Sequence, residues 1–154
     1  MARLSSGMPV PDVELQTMDG ATLKLSDLKG ERVVLYFYPK DDTSGCTAQA
    51  CAYRDAHDDF ASRGVRVIGV SPDPARSHER FRAKYDLNFT LLSDPDHAAA
   101  EAFGVWVEKR MYGRTYMGVE RSTFLIAPDG TIEDARYKVK PEEDTATVLG
   151  LLGS

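Results

Sequence analysis

The chain has 154 residues, and 19 Lys and Arg stand against 24 Asp and Glu for a net charge of −5. That is one ordinary domain's length, and 42% hydrophobic with 28% charged residues is an ordinary globular composition, which argues against bulk disorder. Mild acidity without a basic run argues against nucleic-acid and anionic-membrane partners, and no apolar stretch approaches the ~18 residues of a membrane span.

The opening Met-Ala-Arg-Leu-Ser-Ser-Gly-Met-Pro lacks the apolar core of a signal peptide, so a cytoplasmic location is expected. Val13–Gln16 and Thr22–Leu25 flank Asp19-Gly20 and read as a hairpin. Val33–Tyr38 is apolar on both faces, the mark of a central strand, and Pro39 ends it. From Gly45 to Arg63, Ala48, Ala52, Ala56 and Phe60 recur every four residues, which predicts one helix stopped by Gly64. Val65–Val70 is the next strand. Asp73-Pro74 opens a helix bearing Phe81 and Tyr85, with the Asp as cap. Leu91-Leu92 is a short strand, and Asp94-Pro95 opens a helix through Ala98 to Phe103 that Gly104 closes. Val105–Val107 reads as a strand and Met111–Gly118 as a loop. Thr123–Ile126 and Thr131–Val139 flank Pro128-Asp129-Gly130, a second hairpin, and Thr145–Leu152 reads as a C-terminal helix. The alternation predicts an α/β fold with a central mixed sheet flanked by helices and an N-terminal hairpin, one domain spanning residues 1–154.

Two cysteines are too few for a disulfide scaffold, yet both lie in one short segment, at Cys46 and Cys51. A strand leads through Pro39-Lys40-Asp41-Asp42-Thr43-Ser44-Gly45 to Cys46, which falls in the first turn of a helix. Unpaired N–H groups and the helix dipole favour an anion there, and thiols at helix N-termini are acidified. Gly45 permits close approach of a substrate to the backbone, and the Thr43 hydroxyl is placed to turn toward the same pocket. On one α-helix, residues five apart are separated by about 7.5 Å axially and about 140° in angle, a Cα–Cα distance of about 8.7 Å. A disulfide needs less than about 7 Å, so joining Cys46 to Cys51 requires that turn to unwind.

Pro39-x3-Thr43-x2-Cys46 resembles the active-site motif of the peroxiredoxins. The run Tyr38 to Cys51, with a second cysteine five residues after the first, resembles their peroxiredoxin Q group, the bacterioferritin comigratory proteins. Tyr53-Arg54-Asp55, the strand Arg121-Ser122-Thr123-Phe124-Leu125-Ile126 and the opening from Pro11-Asp12 to Leu28-Lys29-Gly30 fit the same group. Two positions depart from it: Ser44 stands where many members have Pro, and Gln49 where many have Glu, removing a carboxylate beside the reacting thiol. The resemblance implies a thioredoxin-like fold and a thiol peroxidase without metal or organic cofactor. Cys46 is then the peroxidatic and Cys51 the resolving cysteine. Arg121, Thr43 and the Gly45 and Cys46 N–H groups would bind peroxide, with Pro39 shielding the sulfur. Thioredoxin or a similar dithiol is the implied reductant, and a monomer the implied state.

Other chemistries fit less well. A phosphatase-type loop needs Cys-x5-Arg, and position 52 is Ala. Disulfide exchangers usually carry Cys-x2-Cys, so a thioredoxin-like exchange protein, or a redox switch using the same pair, stands as the alternative. His57, His78 and His97 are scattered, read as surface residues, and give no zinc spacing. Asp41 and Asp42 read as solvated loop charges, and Arg54 as a helix anchor through an ion pair. Trp106, Tyr112 and Tyr116 read as core or surface aromatics before rim residues.

Overall fold

The computed structural model describes residues 3–153. Its strands are β1 (Glu14–Gln16), β2 (Thr22–Lys24), β3 (Arg32–Phe37), β4 (Val65–Ser71), β5 (Thr90–Ser93), β6 (Trp106–Met111), β7 (Arg114–Val119), β8 (Ser122–Ile126) and β9 (Ile132–Arg136). The helices are α1 (Ser44–Asp55), α2 (His57–Ser62), α3 (Ala75–Tyr85), α4 (Ala98–Ala102) and α5 (Asp144–Leu152). Seven strands form one sheet in the order β2-β1-β5-β4-β3-β8-β9. The β3–β4 and β4–β5 pairs are parallel, while β1–β2, β1–β5, β3–β8 and β8–β9 are antiparallel. This is the expected mixed sheet with its hairpin at one edge.

Alternation along β3 builds both cores. Val33, Leu35 and Phe37 pack with Phe103, Phe124 and the α4 alanines. Val34, Tyr36 and Tyr38 pack on the other face with Cys46, Ala50 and Tyr53 of α1, Phe60 of α2, Phe81 of α3 and Val148 of α5. Burial on both faces is what an unbroken apolar run in a central strand requires. The Tyr36 ring lies over Gly69 of β4, where an added Cβ would stand 3.0 Å from the phenol oxygen and from Leu91 Cδ2. No helix among the described residues is long and apolar enough to cross a membrane.

Several boundaries differ from expectation. The single helix over Gly45–Arg63 is two, α1 and α2, separated at Ala56 (φ −92°, ψ 5°). Its buried stripe in α1 is Cys46, Gln49, Ala50 and Tyr53, not the alanines at four-residue spacing, because side chains counted as polar occupy the i, i+3, i+4, i+7 face. Residues 111–118 are not a loop. They form most of a β6–β7 hairpin that stands apart from the main sheet. It turns at Tyr112-Gly113, both with positive φ, a two-residue turn without the usual Asn-Gly or Asp-Gly signature. Pro74, not Asp73, occupies the α3 cap position. Asp94 does cap α4, accepting the Ala99 and Ala100 N–H groups at 3.0 and 2.9 Å, but the helix starts at Ala98, after left-handed His97. β9 ends at Arg136 rather than Val139.

Candidate active site

The end of β3 delivers Pro39, half-buried, into a loop that feeds α1. Thr43 is the N-cap residue and Cys46 the third residue of the helix. Cys46 is 2% exposed on the face toward the sheet, Cys51 is half-buried, and both thiols are free. Arg121, in the connection from β7 to β8, donates from Nη2 to Cys46 Sγ at 3.3 Å and from Nη1 to Gln49 Oε1 at 2.7 Å. Its backbone is fixed too, since Arg121 O accepts the Val139 N–H at 3.0 Å. A guanidinium cannot lose its charge at ordinary pH, so the sulfur faces a permanent cation. Cys46 and Arg121 thus meet as expected, from 75 residues apart.

Gly45 also has a local packing duty. A Cβ there would stand 3.2 Å from Arg121 Nη2 and 3.4 Å from Pro141 Cγ. Its bareness lets the guanidinium lie against the first turn of α1. The Thr43 hydroxyl donates to Lys40 O at 2.9 Å, so its proton is committed to the loop, and among the described residues no donor occupies its lone pairs.

Gln49, flagged in the sequence as a lost carboxylate, is completely buried and bridges. Its Oε1 accepts from Arg121, and its Nε2 donates to Asp144 Oδ2 at 3.0 Å. Asp144, the first residue of α5, also accepts on Oδ2 from Tyr53 at 2.5 Å and Thr123 at 2.8 Å. Burial, and then the Asp144 charge, push the Tyr53 phenol well above its ordinary value, so it stays a donor. Stacking on Tyr36, 4.8 Å between ring centroids, holds it in place. Sequence reasoning missed Asp144, which reads only as a first-turn acid, and Tyr53. The spacing 46, 49, 53 on one helix face is the signal that was there.

The loop before Cys46 is anchored on its other side by Asp41, which is buried and not solvated. Its carboxylate accepts from Tyr38 at 2.5 Å and from Ser77 at 2.7 Å, and pairs with His78 Nδ1 at 2.7 Å. His78 is not a surface residue: it is fully buried, and its Nε2 lies 3.0 Å from Leu92 O. Asp41 N donates to Asp73 Oδ2 at 2.6 Å, which is why Asp73 does not cap α3. Asp42 is exposed and left-handed, φ 57°. Lys84 and Tyr85 hold it by hydrogen bonds that lower its carboxyl below the usual range. Arg54 pairs with Asp55 as expected and also donates to Tyr85 O at 2.6 Å, tying α1 to α3.

A groove over Arg121 is lined by Val107, Lys109, Tyr116, Glu120 and Val139. Burial and the neighbouring Arg121 charge pull the Lys109 ammonium below its ordinary value. Tyr116 lines this groove beside Arg121, Tyr112 projects into solvent, and Trp106 stacks on His97. Among the described residues no group of three or more His, Cys, Asp or Glu is arranged to hold a metal ion.

A thiol at a helix N-terminus, under a fixed guanidinium and five residues before a second thiol, is an arrangement for attack on an electrophilic oxygen or sulfur. Peroxiredoxin Bcp of Bacillus subtilis is 49% identical over 146 residues, covering 95% of this chain and 93% of the relative. Peroxiredoxin Bcp of Escherichia coli is 49% identical over 152 residues, covering 99% and 97%. A solved structure of the Xanthomonas campestris bacterioferritin comigratory protein, studied for its alkyl peroxide reduction, superposes with a TM-score of 0.88 at 38% identity over 96% of each chain. That likeness makes the fold thioredoxin-like. A model of the AhpC/TSA family matches residues 6–135, and with these relatives it shows that the chain belongs to that family, in its peroxiredoxin Q group.

Proposed function

We propose that the chain acts as one thioredoxin-like domain that reduces hydrogen peroxide and organic hydroperoxides through Cys46. The observation that carries this is the Arg121 guanidinium 3.3 Å from Cys46 Sγ at the start of α1. The Cys46 thiolate attacks the terminal peroxide oxygen. The S–O bond forms as the O–O bond breaks, and the departing alkoxide or hydroxide takes a proton to leave as alcohol or water. Arg121, the Thr43 oxygen and the Gly45 and Cys46 N–H groups surround the oxygens where charge shifts, and Pro39 shields the sulfur.

The sulfur, oxidised by two electrons, is a sulfenic acid. Cys51 condenses with it, releasing water and forming an intramolecular disulfide. Because both residues sit on α1, about 8.7 Å apart at Cα, this step requires the segment from Cys46 to about Arg54 to unwind. An external dithiol of the thioredoxin type then returns both thiols by exchange. The reading includes a cytoplasmic monomer. The alkyl peroxide reduction studied in the Xanthomonas relative supports extending the substrate from hydrogen peroxide to organic hydroperoxides.

The test is peroxide consumption with a dithiol reductant, followed by intact mass. Cys46→Ser should lose all turnover. Cys51→Ser, with the reductant left out, should consume one equivalent and stop as the sulfenic acid. Turnover by Cys46→Ser with none by Cys51→Ser would reverse the roles.

A further inference from the structure

Asp144 is 2% exposed, and among the described residues its Oδ1 has no hydrogen-bond partner while Oδ2 takes three donors. A carboxylate held this way is costly to bury. No Lys, Arg or His pairs with it directly among the described residues. The cation it reaches is Arg121, across the Gln49 amide. The orientation of that amide follows from chemistry: a guanidinium only donates and a carboxylate only accepts, so the carbonyl faces Arg121 and the N–H faces Asp144. The dipole of Gln49 therefore lies head to tail between a negative and a positive group, and each bond polarises the next.

We propose that Asp144 is a positioning residue of the peroxidase site, the carboxylate that holds Gln49 and, through it, aims Arg121 at Cys46. This deepens the reading of Cys46 as the peroxidatic thiol and rests on it. It also accounts for the amide at position 49. A carboxylate there would face Asp144 Oδ2 where the Gln49 N–H now donates, and two carboxylates in one hydrogen bond cannot both stay ionised. Gln49 and Tyr53 both lie within the segment that unwinds, so Asp144 keeps only Thr123 when the disulfide forms. The same carboxylate thus aligns the site for attack and holds the helix that must open afterwards.

The experiment is a double-mutant cycle on the rate of Cys46 oxidation, read by rapid quench, alkylation and intact mass at one peroxide concentration, with thermal melts alongside. Asp144→Asn should slow oxidation several-fold. Gln49→Glu should slow it at least tenfold, because it sets two carboxylates against each other. Gln49→Glu/Asp144→Asn restores one carboxylate: the new carboxylate accepts from Arg121 and from the new carboxamide, whose nitrogen takes the Oδ2 position and donates its second N–H to the Tyr53 or Thr123 oxygen. It should return to within about threefold of the wild type, a coupling that independent sites do not show. If Asp144→Asn does not fold, the comparison of Gln49→Glu with the double variant still decides. Additive losses would overturn the assignment, as would a wild-type rate in Gln49→Glu or a lowered melting temperature with unchanged rates. Oxidation that survives Cys46→Ser in the same assay would overturn the reading beneath it instead.

Discussion

Asp41, in the loop that leads to Cys46, and Asp144, at the start of α5, are both nearly excluded from water, and they are satisfied in different ways. Asp41 uses both oxygens, with Tyr38 on one and Ser77 and His78 on the other. Its partners lie at the end of β3 and on α3, elements that the proposed cycle leaves in place. Asp144 loads three donors onto one oxygen and leaves the other bare. Two of those donors sit on the stretch of α1 that must open. The comparison teaches that burial of a carboxylate does not itself mean rigidity. A fully paired network fixes the loop that presents the thiol. A half-paired one grips a helix tightly enough to align it and loosely enough to release it.

The contrast breaks first, and most visibly, at Asp41. Asp41→Ala removes one partner from two buried polar groups, Tyr38 and His78, and from the half-buried Ser77, and should cost about 3 kcal/mol of folding stability, measured by urea unfolding. Tyr53→Phe removes one of three donors to Asp144 and should cost about 1 kcal/mol. Equal costs would erase the distinction. On the catalytic side, Arg121→Ala should slow Cys46 oxidation at least tenfold, and it should cost about 1 kcal/mol of stability because the buried Gln49 Oε1 loses its donor. Arg121→Lys should recover only part of that, because an ammonium lacks the fork that reaches Sγ and Gln49 together. The smallest effect is expected at Gly45. Gly45→Ala sets a methyl 3.2 Å from Arg121 Nη2, so the guanidinium must shift slightly, and oxidation should slow a few-fold. An unchanged rate would mean that the Arg121 position over α1 is not critical.

Much of this was legible before the fold. Strong local signals marked the buried strand Val33–Tyr38, the Asp19-Gly20 hairpin and the helix turn that holds Cys46, and the run from Arg121 to Ile126 stood out by resemblance. What sequence hid was long-range polar pairing. Asp41 and His78 are charged or titratable residues that ordinarily face water, and only the approach of α3 to the β3 loop buries them together. Gln49 reads as a departure from a pattern until Asp144, 95 residues on, supplies its partner. The β6–β7 hairpin was missed because Tyr112-Gly113 is an uncommon turn pair, and because its strands are largely exposed and carry no clean apolar alternation.

The claim beneath the whole account is that α1 is folded in the dithiol form and opens to join Cys46 to Cys51. Amide hydrogen exchange tests it most directly, comparing the dithiol and the intramolecular disulfide forms of the same protein. Residues 46–54 should be protected in the dithiol form and lose at least tenfold of that protection in the disulfide, while the Asp41-anchored ends of β3 and α3 stay unchanged. Equal protection of residues 46–54 in both forms, with the intramolecular disulfide fully formed, would contradict it.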